Sequence, residues 1–298
     1  MNYGHEPVLL NEVIKFLEPK SGEFFVDATL GAGGHAEKIL EKIMPDGFLI
    51  GFDCDSSAIG QAEERLNKYK KNCLFINDNF SNLVLQIKKN NISGVDGVLL
   101  DLGVSSMQLD NKERGFSFKS SGPLDMRMAE NKGISAFDVV NSFEEKEIAD
   151  IIWKYGEERL SRRIARAIIN HRKEKKIETT GELADIAARA YGARTQGSFR
   201  GIHPATRTFQ ALRIFVNKEL ESLETVIESV IDILNHQGRI GVISYHSLED
   251  RIVKNKFKEF KEKGLGDILT KKPIAPTEEE VDQNRRARSA KFRVFKKN

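Results

Sequence analysis

Three aspartates draw attention first, because each closes an apolar run. They are Asp27 after Phe24-Phe25-Val26, Asp53 after Phe48-Leu49-Ile50-Gly51-Phe52, and Asp101 after Val95-Asp96-Gly97-Val98-Leu99-Leu100. Between the first two acids lies Leu30-Gly31-Ala32-Gly33-Gly34-His35, followed by Ala36-Glu37-Lys38-Ile39-Leu40 at helical spacing. Strand, glycine turn and helix together present backbone N–H groups and a helix N-terminus to a ligand. An acid about 20 residues beyond the glycines is placed to take ribose hydroxyls. In a parallel sheet the three strand ends share one edge, and ligands bind at that edge. The chemistry this predicts is recognition of a nucleoside cofactor with a positive centre and hydroxyls.

Gly31-Ala32-Gly33-Gly34-His35-Ala36 also satisfies the G-x-G-x-x-G/A dinucleotide pattern, which keeps an NAD-dependent oxidoreductase in view. Asp27 argues against it, because a carboxylate at the end of the first strand repels a pyrophosphate. An acid there suits a cationic or zwitterionic ligand, such as the methionine end of S-adenosylmethionine.

The elements that must position these residues follow from periodicity. Val8 to Leu17 reads as a helix, opened near Pro7 and stopped near Pro19. His5 precedes it with no role that its chemistry assigns. Strands are expected to end at Asp27 and Asp53, over Leu74–Ile76, at Asp101, and over Arg239–Ser244, with Ile268-Leu269 and Phe292–Phe295 as a terminal antiparallel pair. Helices are expected after the glycine turn, over Ala58–Tyr69 and Leu83–Lys89, and from Ile252 to Phe260. From Leu102 to Met128 the chain is turn-rich and reads as long loops. Loops of that length are uncommon unless functional. From Ala136 to about Tyr191 the pattern is helical, with no strand signal. Residues 197–202 read as a flexible link, and His203 to about Leu234 as one long helix with Pro204 in its first turn. The expected fold is therefore α/β, a Rossmann-like doubly wound sheet over residues 1–109 and 204–298, interrupted by an all-helical insert over 110–203.

The chain has 298 residues, 40% of them hydrophobic and 31% charged, with a net charge of +3. It contains no apolar run of 18 residues, so no membrane span is expected. The first residues carry neither a basic nor an apolar leader region, so no signal peptide is expected. Cys54 and Cys73 stand apart with no C-x-x-C, which makes a thiolate metal site unexpected and a reducing cytoplasm the simplest home. Charge is unevenly placed. Nine Lys/Arg against three Glu fall between Lys154 and Lys176, and seven Lys/Arg with no acid between Arg285 and Lys297. Such clusters on a nearly neutral chain suggest local polyanion contact, competing with plain solvated helix faces.

Seven segments together resemble the bacterial MraW/RsmH family. They are Asp27–His35, Asp101–Ser106, Arg114–Phe118, Gly122–Met128, Tyr155-Gly156-Glu157-Glu158-Arg159, His203–Gln210 and Ser247–Arg251. The likeness runs from His5 to Arg286-Ala287-Arg288-Ser289. The resemblance implies a class I S-adenosylmethionine-dependent methyltransferase with a seven-stranded sheet and a helical substrate-recognition insert. Its partner would be 16S ribosomal RNA of the small subunit, methylated at N4 of a cytidine in the decoding centre. It implies cofactor contacts at Gly33, Gly34, His35, Asp53, Phe80, Asp101 and Gln108, with no metal. A non-catalytic assembly factor on the same fold is the other alternative, opposed by the intact glycine run and the three acids. The oligomeric state, a homodimer included, is not set by the sequence.

Cytosine N4 is a weak nucleophile, because its lone pair is delocalised into the ring. An acceptor for one of its hydrogens would help, and Asp101 is the candidate, in competition with a purely cofactor-positioning role. Amine-methylating enzymes of DNA place Pro-Pro-aromatic after the corresponding residue; here Leu102-Gly103-Val104 stands instead. Tyr245, Phe116 and His246 are candidates for holding the flipped base, each with packing as the competing reading. Arg162, Arg163 and Arg166 are candidates for RNA backbone contact; Arg207 and Arg213 share a helix face too loosely for one phosphate site.

Overall fold

The computed structural model describes residues 7–129, 133–192 and 203–298. His5 and the 197–202 link therefore lie outside the described residues. The first part of the chain runs α1 (Leu10–Leu17), β1 (Phe24–Asp27), α2 (Gly34–Ile43), β2 (Phe48–Phe52), α3 (Ser56–Arg65), β3 (Cys73–Ile76), α4 (Leu83–Lys89) and β4 (Val95–Asp101). Helices α5 (Ser106–Asp110), α6 (Ala136–Ser142), α7 (Glu145–Gly156), α8 (Ser161–Glu174), α9 (Thr180–Ala190) and α10 (Ala205–Asn217) follow. The chain ends with α11 (Glu219–Ile233), β5 (Leu234–Ser244), α12 (Ser247–Glu262), β6 (Gly266–Ile268), α13 (Glu278–Gln283) and β7 (Lys291–Lys297).

The seven strands form one sheet in the order β3-β2-β1-β4-β5-β7-β6. Strands β3, β2, β1, β4 and β5 pair in parallel, and β7 runs antiparallel to both β5 and β6. This is the doubly wound, Rossmann-like sheet that the sequence leads one to expect. The order reverses between β1 and β4, the point where such sheets hold their ligands. Side chains alternate across it, so each strand feeds two cores. Phe25, Leu49, Leu99, Ile243 and Phe292 pack on one face with Leu40, Ile43 and Ala62 from α2 and α3. Val26, Ile50, Val98, Val242 and Phe295 pack on the other with Leu83, Val226, Val253 and Phe257 from α4, α11 and α12. Among the described residues, no helix is long and apolar enough to cross a membrane.

Two compact units result: residues 1–103 with 220–298, and residues 104–219. The helical unit thus opens at Val104 and closes at Glu219, against the 110–203 expected. One reason is α5, where turns alone were expected. Ser105 accepts from the Gln108 N–H at 3.2 Å, and the Gln108 Oε1 accepts from the Ser105 N–H at 3.0 Å, a reciprocal cap that starts a helix. The other is that the expected single helix over His203–Leu234 is two helices. Lys218 takes a left-handed φ of 51° and ends α10. The Asn217 amide donates to Met126 O at 2.7 Å, and Arg213 clasps Glu219 through two bonds of 2.8 and 2.9 Å. These contacts anchor α10 and the break in the helical unit.

Candidate active site

The turn after β1 is shaped by the conformations glycine allows. Gly31 and Gly33 have φ of 51° and 77°, the left-handed region that costs other residues energy. A side chain at Gly31 would meet nothing within 4 Å, so this part of the turn faces unfilled space. Gly33 and Gly34 are constrained differently. A Cβ on Gly34 would lie 2.5 Å from Pro7 Cγ, and one on Gly33 would lie 3.2 Å from Leu66 Cδ1. The Gly33 N–H donates to Leu30 O at 2.8 Å, so it closes the turn. No side chain caps α2 at Gly33, which leaves the Gly34 and His35 end of the helix as the N–H-bearing terminus.

Asp53 sits one residue beyond β2. Its Oδ2 accepts from the Gly31 N–H and its Oδ1 from the Asp55 N–H, both at 2.9 Å. The acid therefore braces the glycine turn. Asp27 is 1% exposed, and its Oδ1 accepts from the Thr29 N–H at 3.2 Å. Burial pushes the Asp27 carboxyl up to about 6, and the charges of Asp101 and Asp53 add to the rise, while His35 and the Thr29 N–H oppose it.

Asp101 ends β4, where its own N–H donates to Thr29 Oγ1 at 2.6 Å. The Tyr245 hydroxyl donates to its Oδ1 at 2.8 Å. The Asp101 Oδ2 lies 3.7 Å from His35 Nδ1. Burial pushes the Asp101 carboxyl up to about 7; the Tyr245 hydrogen bond pulls it down and the Glu249 charge pushes it up. Burial beside Asp101 also raises Tyr245 well above its usual range, so the hydroxyl stays protonated and donates. His35 does more than open a helix. Its Nε2 lies 2.9 Å from Val8 O, its other nitrogen faces Asp101, and burial holds its pKa below the ordinary value. A neutral ring thus links the chain before α1 to the acid of β4.

The sheet edge accordingly gathers Asp27, His35, Asp53, Asp101 and Tyr245. Phe80 lies at the turn before α4, half-buried against the sheet core. Gln108 belongs to the helical unit, buried as the third residue of α5 with its amide oxygen in the cap. Three carboxylates share this edge, and two of them, Asp27 and Asp101, are pushed upward by burial. Electrostatics at this edge therefore suits a positively charged ligand and opposes a diphosphate.

Several sequence candidates have other occupations. Tyr245 braces Asp101 and is not free to hold a base through its hydroxyl. Phe116 is buried in the helical unit at 7% exposure. His246 caps α12, with its Nδ1 accepting from the Glu249 N–H. Arg213 is spent on Glu219, and Arg166 pairs with Glu145 at 3.5 Å. In the C-terminal basic run Lys291 and Arg293 pair with Asp250, and Lys297 donates to Ile231 O and Leu234 O. Arg159, Arg162 and Arg163 remain exposed on the helical unit.

The sequence matches the model of the MraW methylase family over residues 2–298. It is similar to a protein of Clostridium botulinum named ribosomal RNA small subunit methyltransferase H, 48% identical over 313 residues with 100% of each chain covered. The protein of the same name from Brevibacillus brevis is 44% identical over 312 residues, covering 100% of this chain and 99% of the relative. Among solved structures, a methyltransferase from Streptococcus mutans in complex with S-adenosylhomocysteine is similar at a TM-score of 0.44 and 10% identity, covering 97% of this chain and 95% of the other.

Proposed function

Because the chain belongs to the MraW methylase family, we propose that it transfers the methyl group of S-adenosylmethionine, the family's cofactor, to N4 of a cytidine in the decoding centre of 16S ribosomal RNA. The names of its full-length relatives support a small-subunit ribosomal RNA substrate. The observation that carries the chemistry is Asp101. It stands at the end of β4, braced by Tyr245 on one oxygen and faced by His35 on the other.

S-adenosylmethionine, when bound, supplies a methyl group on a sulfonium, open to in-line displacement. The residues present fit it. Asp53 can take ribose hydroxyls, the Gly34 and His35 end of α2 can take a carboxylate, and Phe80 offers an apolar ring for the adenine. Asp27 and Asp101 supply the negative potential that a sulfonium and an ammonium group need. Positioning does much of the work in such a displacement. Asp101 adds an acceptor for an N4 hydrogen, which holds the amine and takes up charge as the nitrogen is alkylated. Tyr245 fixes the direction of that carboxylate. The target base reaches the sheet edge only after leaving its stack. The helical unit, with Arg159, Arg162 and Arg163 exposed, is the substrate-recognition part.

The test is transfer of labelled methyl from S-adenosylmethionine to small ribosomal subunits prepared from cells lacking this protein, followed by nucleoside analysis. Label in N4-methylcytidine is the expected outcome. Label in another nucleoside would overturn the N4 assignment. Absence of label from both subunits and free ribosomal RNA would overturn the substrate.

A further inference from the structure

Glu158 is a buried acid that the methyl-transfer chemistry does not use. It is 1% exposed, between α7 and α8. Its Oε1 accepts from the Leu160 N–H at 2.8 Å. Its Oε2 accepts from the Tyr191 hydroxyl at 2.5 Å and lies 3.9 Å from Arg207 Nη1. Burying a carboxylate is costly unless it is paired and hydrogen-bonded. Here both side-chain partners belong to the surface. Tyr191, at the end of α9, is 40% exposed, and the Arg207 side chain, in the first turn of α10, is 51% exposed.

The backbone is built to bring them together. Gly156 ends α7 where a Cβ would lie 2.6 Å from Arg207 O, so only glycine lets α7 approach α10 this closely. Glu157 follows with a left-handed φ of 48°, turning the chain so that Glu158 points inward. The Arg207 Nη1 also donates to Glu157 O at 3.4 Å, and the Gln210 amide to Tyr155 O at 3.2 Å. A ring and a guanidinium are thus held side by side at the surface by one acid beneath them. Exposed Arg159, Arg162 and Arg163 lie on the adjoining turn and the start of α8.

We propose that Tyr191 and Arg207, fixed by Glu158, form a nucleotide site for single-stranded RNA, the ring stacking on a base and the guanidinium taking the adjoining phosphate. Unstacked bases of RNA are held on aromatic faces, and phosphates are matched by the planar fork of arginine. Charge favours this occupant, because the neighbouring arginines complement a polyanion. The site rests on the ribosomal RNA reading for its natural ligand, and not for its chemistry.

The experiment uses the full chain and a fluorescent single-stranded RNA of about ten nucleotides, within the span such surfaces cover. Tyr191→Ala is expected to weaken binding about tenfold, since stacking one base is worth roughly that much or more. Tyr191→Phe keeps the ring and is expected to stay within about threefold of wild type. Arg207→Ala is expected to weaken binding and to reduce the salt slope by about one. S-adenosylmethionine affinity, measured on each variant, reports intact folding. Wild-type RNA affinity in Tyr191→Ala together with an unchanged salt slope in Arg207→Ala would overturn the site. If Tyr191→Ala also loses the cofactor, the Arg207→Ala slope decides. Wild-type protein that binds RNA through this pair yet methylates no subunits would instead sink the proposed function and leave the site standing.

Discussion

The sheet edge and the helical unit use one device in opposite senses. At the sheet edge Tyr245 donates to Asp101 at 2.8 Å, and in the helical unit Tyr191 donates to Glu158 at 2.5 Å. The Asp101 side chain is 22% exposed and the Glu158 side chain 2% exposed. On the proposed function the acid at the sheet edge is the working group, and the tyrosine braces it. In the helical unit the acid is the brace, and the tyrosine is what faces outward. A tyrosine–carboxylate pair therefore does not declare which partner works. Exposure declares it, because a group that must meet a ligand cannot be sealed beneath its own support.

The largest effect should come from the working acid. Asp101→Asn keeps the size of the side chain and removes the charged acceptor. Turnover is expected to fall by about 10²- to 10⁴-fold, the span of general acid–base contributions, with cofactor affinity changed far less. Single-turnover methyl transfer with equilibrium binding alongside separates the two. Near-normal turnover would confine Asp101 to placing the cofactor. The brace in the helical unit should show itself in stability instead. Glu158→Ala strands the Tyr191 hydroxyl and the Leu160 N–H, and is expected to cost about 1–3 kcal/mol in denaturant unfolding. It should weaken RNA binding as well, while Glu158→Gln, which keeps an acceptor, recovers much of both.

The brace at the sheet edge should be cheaper to lose. Tyr245→Phe leaves the ring packing and removes the bond to Asp101 Oδ1. Turnover is expected to fall about tenfold, on the scale of one lost hydrogen bond to a charged group. The Tyr245 bond lowers the Asp101 pKa, so its loss should move the acid limb of the pH–rate profile to higher pH. His35, Asp27 and Glu249 also bear on that limb, and stay in place in this variant. An unmoved limb with reduced turnover would assign Tyr245 to packing alone.

The two regions differed in how far the sequence exposed them. Asp27, Asp53 and Asp101 stood out because apolar runs mark strands and the residue after a run marks an edge. Such signals are local. The braces are not: Tyr245 and Asp101 are 144 positions apart, His35 and Val8 27, and Tyr191 and Glu158 33. No periodicity links residues at those separations; only the folded sheet and bundle do. The break at Lys218 was hidden for a related reason, since the left-handed residue is a lysine rather than a glycine and the anchor is Met126, 91 positions from Asn217. Helix α5 is different. Ser105 and Gln108 spell a capping box, so that signal was present and local, masked by the glycines and serines around it.

The smallest effect separates the regions by pH. Asp27 and Asp101 are raised in the folded protein, to about 6 and about 7. Between the ordinary carboxylate range and those values the native state holds more protons than the unfolded state. Stability of the ligand-free protein should therefore decline as pH rises through that window, with the loss complete above about 7. A cationic ligand favours the ionised acids, so its affinity should move the other way, rising from pH 5 to 8 by a few-fold and releasing protons on binding. Titration calorimetry in buffers of different ionisation enthalpy reads that release directly. At the Tyr191 and Arg207 surface, burial and the Glu158 contact push Tyr191 up to about 12, so its hydroxyl stays protonated over this range. RNA binding there should consequently be flat over the same pH span at constant salt. If it instead tracked the cofactor's pH dependence, the two carboxylate pairs would not be working independently.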